Sequence, residues 1–204
     1  MDQLIDGYRR FRAQVWPDYK ARFEHLALGQ NPRAMVIACA DSRVDPAMIF
    51  GAVPGELFVV RNIANLVPPY RPDHAYHGTS AAIEFGVRVL RVQEVIVLGH
   101  AQCGGVQALL RGAPPEAGDF VVPWIAIAQP ARAKVLACTA LEDAQEPCER
   151  EVVRLSLANL MTFPWIAERV ATGELQLHGA RFGIASGVLE LMRPDGSFAP
   201  ASAD

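Results

Sequence analysis

Ala34-Met35-Val36-Ile37-Ala38 runs without a polar side chain into Cys39-Ala40-Asp41-Ser42-Arg43. A short continuous apolar run of this kind reads as a strand buried on both faces, with chemistry-bearing side chains where it ends. Leu57-Phe58-Val59-Val60 and Val95-Ile96-Val97-Leu98 repeat the pattern, and the turn glycine Gly99 after the latter leads to His100. Between these two runs the spacing predicts a helix over 77–90 with Ala81, Ala82, Phe85 and Val89 on one face. Another helix is predicted from near Cys103 to Leu110. Strands alternating with helices give an α/β fold, a mainly parallel central β-sheet flanked by helices.

Upstream, Leu4, Tyr8, Phe11, Val15, Tyr19, Phe23 and Leu26 form an apolar stripe at helical spacing. Pro17 interrupts it, so one helix is expected to end near Trp16 and a second to begin at the proline. Gly29-Gln30-Asn31-Pro32 stops the pattern. This aromatic arm must cover either its own core or a partner subunit. Downstream, 113–123 reads as a loop, and helices are predicted over 125–141, 145–161 and 164–171. Leu175 to Phe182 alternates like an edge strand, Val188 to Met192 pairs with it, and the final residues look frayed. The organisation expected is one domain over 1–204, with a helical N-terminal arm over 1–30 and an α/β core over 34–192.

The chain has 204 residues and 51% hydrophobic content, enough for a buried core without staples. Its 19 basic and 22 acidic side chains leave a formal charge of −3, no footprint for nucleic acid or an anionic membrane surface. No apolar run approaches the roughly 18–20 residues of a membrane span. Residues 1–12 mix charge with apolar positions and do not read as a secretory signal. The expectation is a cytoplasmic protein. Cys138 and Cys148 lie outside the patterns above and read as reduced thiols filling space.

Cys39, His100 and Cys103 supply two thiolates and an imidazole, a donor set that favours zinc over magnesium or calcium. The first two fall at strand ends, and the carboxyl ends of parallel strands are where ligands collect. Cys103 lies one helical turn beyond His100, and Gly104-Gly105 frees amides that can hydrogen-bond a thiolate. Asp41 and Arg43 are extras that a purely structural zinc knuckle does not need. Asp41 has two possible places: fourth ligand on the metal in a closed state, or partner of Arg43 through a bidentate fork.

The stretches Cys39-x-Asp41-Ser42-Arg43, Arg61-Asn62-Ile63-Ala64-Asn65, His100-x-x-Cys103-Gly104-Gly105 and Ser156-Leu157-x-Asn159-Leu160 together resemble the β-class carbonic anhydrases, in their plant-like, open-site form. The resemblance implies one Zn2+ per subunit on Cys39, His100 and Cys103, and reversible hydration of carbon dioxide to bicarbonate and a proton by zinc-bound hydroxide. It implies a homodimer or higher homo-oligomer whose N-terminal helices embrace the neighbour. Asp41 and Arg43 are then the catalytic pair, and Gln30, Phe58, Ile63, Phe85 and Gly104 line the substrate cleft, Gln30 across the dimer interface. Phe85 replaces the tyrosine of the plant-like pattern, and Ala40 a common serine. Val36 and Ala38 stand where members with an inhibitory bicarbonate pocket have tryptophan and glycine, so no such pocket is expected. His25, His74, His77 and His178 are candidate proton carriers to which no role is assigned. Rival readings keep the fold: hydrolysis of carbonyl sulfide or carbon disulfide at the same site, or a zinc structural protein without activity. A redox module on Cys39 and Cys103 lacks Cys-x-x-Cys spacing.

Overall fold

The computed structural model describes residues 1–201. It opens on α1 (Asp2–Arg10), a π-helical turn (Phe11–Val15) and α2 (Trp16–Leu26). A helix begins at Trp16, beside Pro17, as expected, but it is joined to α1 through the π-helical turn instead of following a break. The Trp16 N–H bonds the Phe11 carbonyl five residues back, and the extra residue in that turn makes room for the proline ring in the first turn of α2. No residue of this arm is buried, and Leu4 and Tyr8 are 74% and 58% exposed. Phe11, Trp16 and Phe23 pack on one another, and Arg22 Nε holds the arm to the core through the Pro54 carbonyl at 2.5 Å.

The sheet contains β1 (Ala34–Cys39), β2 (Leu57–Asn62), β3 (Glu94–His100), β4 (Gln176–Phe182), β5 (Leu189–Met192) and β6 (Phe198–Pro200), in the order β2-β1-β3-β4-β5-β6. β2, β1, β3 and β4 are parallel, whereas β5 and β6 return antiparallel. The sheet is therefore mixed and mostly parallel. β1 is buried throughout, as its unbroken apolar run requires. β2, expected to be equally covered, is instead an edge strand with Val59 38% exposed. The alternating 175–182 run, expected at an edge, lies inside the sheet between β3 and β5. The tail expected to fray contributes β6, and only its last three residues fall outside the described residues.

Helices α3 (Pro46–Ile49), α4 (Gly78–Glu84), α5 (Gly104–Arg111), α6 (Val121–Ile125), α7 (Gln129–Leu136), α8 (Gln145–Leu160) and α9 (Pro164–Ala171) complete the chain. α4 runs on through a π-helical turn (Phe85–Val89), but its buried face is Ile83, Gly86 and Val87. The predicted stripe points the other way, leaving Phe85 44% and Val89 62% exposed. The expected loop over 113–123 contains a 3-10 turn and the start of α6. The helix expected over 125–141 is divided among α6, a 3-10 turn and α7, because Pro130 can enter a helix only at its first turn.

On one sheet face Met35, Ile37, Val95 and Val97 pack against Val153, Leu157, Leu160 and Ile166 of α8 and α9. Gly99 belongs to β3 rather than to a turn, and it is glycine because a Cβ there would lie 2.8 Å from Val153 Cγ2 and push α8 away. A second cluster at the carboxyl end joins Cys39, Val44 and Cys103 to Val106, Leu109 and Val152. Among the described residues no helix is long and apolar enough to cross a membrane.

Candidate metal centre

β1 and β3 are parallel neighbours, so their last residues, Cys39 and His100, arrive at the same edge of the sheet. Cys103 precedes the first turn of α5. The three donor atoms lie within 4.8 Å of one another, all three residues are buried, and the two sulfurs are 4.0 Å apart. His100 Nδ1 bonds the Ala101 carbonyl at 2.9 Å, which makes Nδ1 the protonated nitrogen. Nε2 is left buried with no hydrogen-bond partner. An orphaned buried nitrogen is costly, and one aimed between two thiols is the lone pair a metal takes. Two sulfurs and one imidazole fit zinc with a position to spare.

Of the two thiols, Cys39 is the one prepared for deprotonation. The hydrogen bond from Cys103, outweighing desolvation, holds Cys39 far below the ordinary thiol range, helped by His100 and the amides of Asp41 and Ala64. The same bond and burial push Cys103 up, while the Gly105 and Val106 amides pull the other way. Of the glycine pair expected to supply such amides, only Gly105 does so, and Val106 provides the other. A Cβ on Gly105 would meet Ile63 Cγ2 at 2.8 Å, whereas one on Gly104 meets nothing within 4 Å. The second glycine is thus needed for close packing and the first leaves the site open.

Asp41 is engaged by Arg43. Its Oδ1 accepts from Nε at 2.9 Å and from the Arg43 amide at 3.0 Å, and its Oδ2 from Nη2 at 2.6 Å. The Arg43 guanidinium holds this carboxyl well below the usual carboxylate range. Oδ2 stands 4.0 Å from His100 Nε2, beside the three donors. Arg43 Nη2 also donates to the Gln102 carbonyl at 3.1 Å, and Gln102 is in the left-handed region at φ 56°.

Residues quoted above only for a family pattern acquire physical roles. Arg61 donates to the carbonyls of Cys39, Asp41 and Val44 at 2.9, 2.5 and 3.2 Å, strapping the loop that carries Asp41. Asn62 exchanges two hydrogen bonds with the Leu66 backbone, closing a turn in which Ala64 and Asn65 take φ of 62° and 47°. Ser156 Oγ on α8 accepts from the Val67 amide and donates to the Asn65 carbonyl, and Asn159 reaches the Val67 carbonyl at 2.7 Å. Trp124 Nε1 donates to the Ile63 carbonyl at 2.8 Å. Buried Glu149 and Arg181 and half-buried Gln145, which the sequence reading passed over, form a network against Cys103. The available signal was an acidic residue among the apolar positions of α8.

The expected cleft residues divide into two groups. Ile63 and Gly104 lie beside the cluster, Ile63 packing on Gly105 and Gly104 following Cys103. Phe58 and Phe85 pack together with ring centres 5.9 Å apart. Phe58 is four residues before Asn62, the partner of Cys39 in the β1–β2 register, so about 13 Å of strand separates it from that end. Gln30 lies before the start of β1, and the six residues of that strand put it on the order of 17 Å from Cys39. One chain does not bring Gln30, Phe58 and Phe85 to its own metal centre. His25 and His74 are exposed, and His77 and His178 face Asp73 and Glu94.

The family model described as carbonic anhydrase matches residues 34–189. Beta carbonic anhydrase 3 of Arabidopsis thaliana is 36% identical over 210 residues, covering the whole of this chain and 81% of that protein. The solved β-carbonic anhydrase CcaA superposes with a TM-score of 0.91 at 33% identity, over 100% of this chain and 92% of its own. Tetrameric β-carbonic anhydrases of Sordaria macrospora give 0.77 at 29% identity, over 97% and 99%. With two thiols and an orphaned imidazole nitrogen at the carboxyl edge of a mostly parallel sheet, this chain belongs to the β-carbonic anhydrase family, the zinc enzymes that interconvert carbon dioxide and bicarbonate.

Proposed function

We propose that the enzyme is of the open-site, plant-like kind, with Asp41 serving as a hydrogen-bond acceptor and not as a metal ligand. The observation that carries this reading is the bidentate Asp41–Arg43 pair at 2.9 and 2.6 Å. Cys39, His100 and Cys103 would hold zinc, which would supply Lewis acidity and lower the pKa of a water toward neutrality. The chain's own residues do the rest. Arg43 occupies both Asp41 oxygens and keeps the carboxyl ionised, so Asp41 accepts a proton-bearing group beside the donors and orients the lone pair opposite it. Arg61 holds the carbonyls on either side of Asp41 and prevents the loop from swinging onto the metal.

The substrate is small and nonpolar, which suits an apolar wall. A mostly apolar cavity of about 430 Å3 adjoins Ile63, lined also by Phe120, Val121 and Trp124. Gln30, Phe58 and Phe85 join the site from a second copy of the chain. Their distance from their own Cys39 supports this, as do the uncovered arm and the exposed Phe85–Val89 stripe. Gly104, with no atom near its Cβ direction, leaves its backbone free to face substrate. Hydrolysis of carbonyl sulfide or carbon disulfide would use the same donors and differ only in access.

Stopped-flow carbon dioxide hydration, with carbonyl sulfide as a parallel substrate and zinc quantified in the same sample, tests the reading. Fast hydration with one zinc per chain is expected. A zinc-loaded chain that turns over neither substrate would make it a structural zinc protein, and turnover of carbonyl sulfide alone would reassign the substrate.

A further inference from the structure

We propose that Glu149, anchored by Arg181, is a positioning residue for the metal: it fixes the Cys103 backbone against the strand that carries His100, and so sets zinc affinity and ligand geometry. The proposal rests on the three-residue zinc centre described above.

Glu149 lies on α8 with its side chain 1% exposed. Its Oε1 accepts the Cys103 amide at 3.1 Å and Gln145 Nε2 at 2.8 Å. Its Oε2 accepts Arg181 Nε at 3.0 Å and Nη2 at 2.9 Å. Gln145 Nε2 also donates to the Cys103 carbonyl at 3.2 Å, so both backbone groups of one metal ligand are held from α8. Arg181 belongs to β4, where it stands opposite Gly99, the residue before His100. Its Nη1 is tied in turn to Glu190 of β5 at 2.9 Å. An unbroken chain of contacts therefore runs from the strand delivering His100, through Arg181 and Glu149, to Cys103.

Stability alone does not account for such a pair, because apolar replacements of buried ion pairs are often neutral or better. The loop supplies the reason. Gln102, next to Cys103, holds a left-handed φ of 56° without being glycine, a conformation that persists only where the surroundings over-determine it. The Glu149 carboxylate and Gln145 amide grip the loop after Gln102, and Arg43 grips the Gln102 carbonyl. Released on the α8 side, Cys103 Sγ has no reason to stay 4.0 Å from Cys39 Sγ. Partners that orient a metal ligand in this way are typically worth 10–100-fold in affinity.

The test uses the full chain and the variants Glu149→Gln, Arg181→Lys and Gln145→Ala. Zinc affinity is read by chelator competition, ligand geometry by the visible spectrum of the Co2+-loaded proteins, and thermal unfolding is followed on the metal-free chains. Glu149→Gln is expected to weaken zinc binding roughly 10–100-fold and to shift the Co2+ bands. Arg181→Lys, which replaces a fork by a point donor, and Gln145→Ala should move both readouts in the same direction by less. Zinc affinity unchanged in Glu149→Gln and Gln145→Ala, or lowered with superimposable Co2+ spectra, would overturn the proposal, the latter marking a purely structural pair. If Glu149→Gln does not fold, the half-buried Gln145→Ala decides by the same criteria. A parent chain that binds no zinc sinks the metal centre itself, an outcome distinct from every variant result.

Discussion

Asp41 receives two hydrogen bonds from the Arg43 guanidinium and a third from the Arg43 amide, which leaves it an ionised acceptor and not a base in waiting. Asp41→Asn keeps the shape and removes the charge. It should retain one zinc per chain by metal analysis yet lose carbon dioxide hydration by roughly 100-fold or more, the usual scale of a positioned proton partner. Since Arg43 depresses the Asp41 carboxyl, that group is already ionised below the working range and adds no limb to the rate profile there. The wild-type rate should climb between about pH 6 and 9 as the attacking water sheds its proton, and a flat profile would contradict the scheme. The two thiols outside the centre part company. Burial, with Glu149 and Glu151 nearby, pushes Cys148 up to about 11, whereas Cys138 is exposed. A disulfide reagent at about pH 8 should therefore label Cys138 quickly in the native zinc protein and Cys148 only on unfolding. That the donors were zinc ligands could be read from residue type and spacing. The hold of Arg61 on the Asp41 loop could not, because an arginine's partners depend on where the chain returns.

The two glycines after Cys103 look alike in the sequence and differ in what surrounds them. Gly105→Ala drives a methyl into the Ile63–Ala64 turn and should cost about 1–3 kcal/mol, read as a fall of roughly 2–4 °C in Tm per kcal/mol for a chain of this size. Gly104→Ala meets open space and should stay within ~0.5 kcal/mol of the parent. Helix α4 teaches a related lesson. Its residues carry two apolar stripes, Ile83, Gly86 and Val87 on one side, Ala81, Phe85 and Val89 on the other, and periodicity does not say which one meets the chain's own sheet. β1 was legible because every side chain in it is apolar. β2 looked equivalent, yet lies at the edge, since strand order is a property of the crossovers and not of the strand.

The arm, the β2 edge and the Phe85–Val89 stripe expose apolar surface on one chain, and three cleft residues sit far from the centre they are expected to serve. All of these would be satisfied by the second copy proposed above. Sedimentation should show the wild-type chain as a dimer or larger. Val89→Glu, at a position 62% exposed in the single chain, should dissociate it and lower hydration while leaving the zinc content intact. A fully active monomer would remove the shared-cleft reading.

By itself the sequence determined the donor set, the alternation of strands and helices, and the delivery of Cys39 and His100 to strand ends, because residue chemistry and short-range periodicity are local properties. Only the tertiary structure decided that Asp41 is turned to Arg43, that β4 is interior, and that Glu149, anchored by Arg181, reaches Cys103 across 46 residues of chain. Those outcomes turn on which segments pack together, and long-range packing leaves no spacing in the sequence to read.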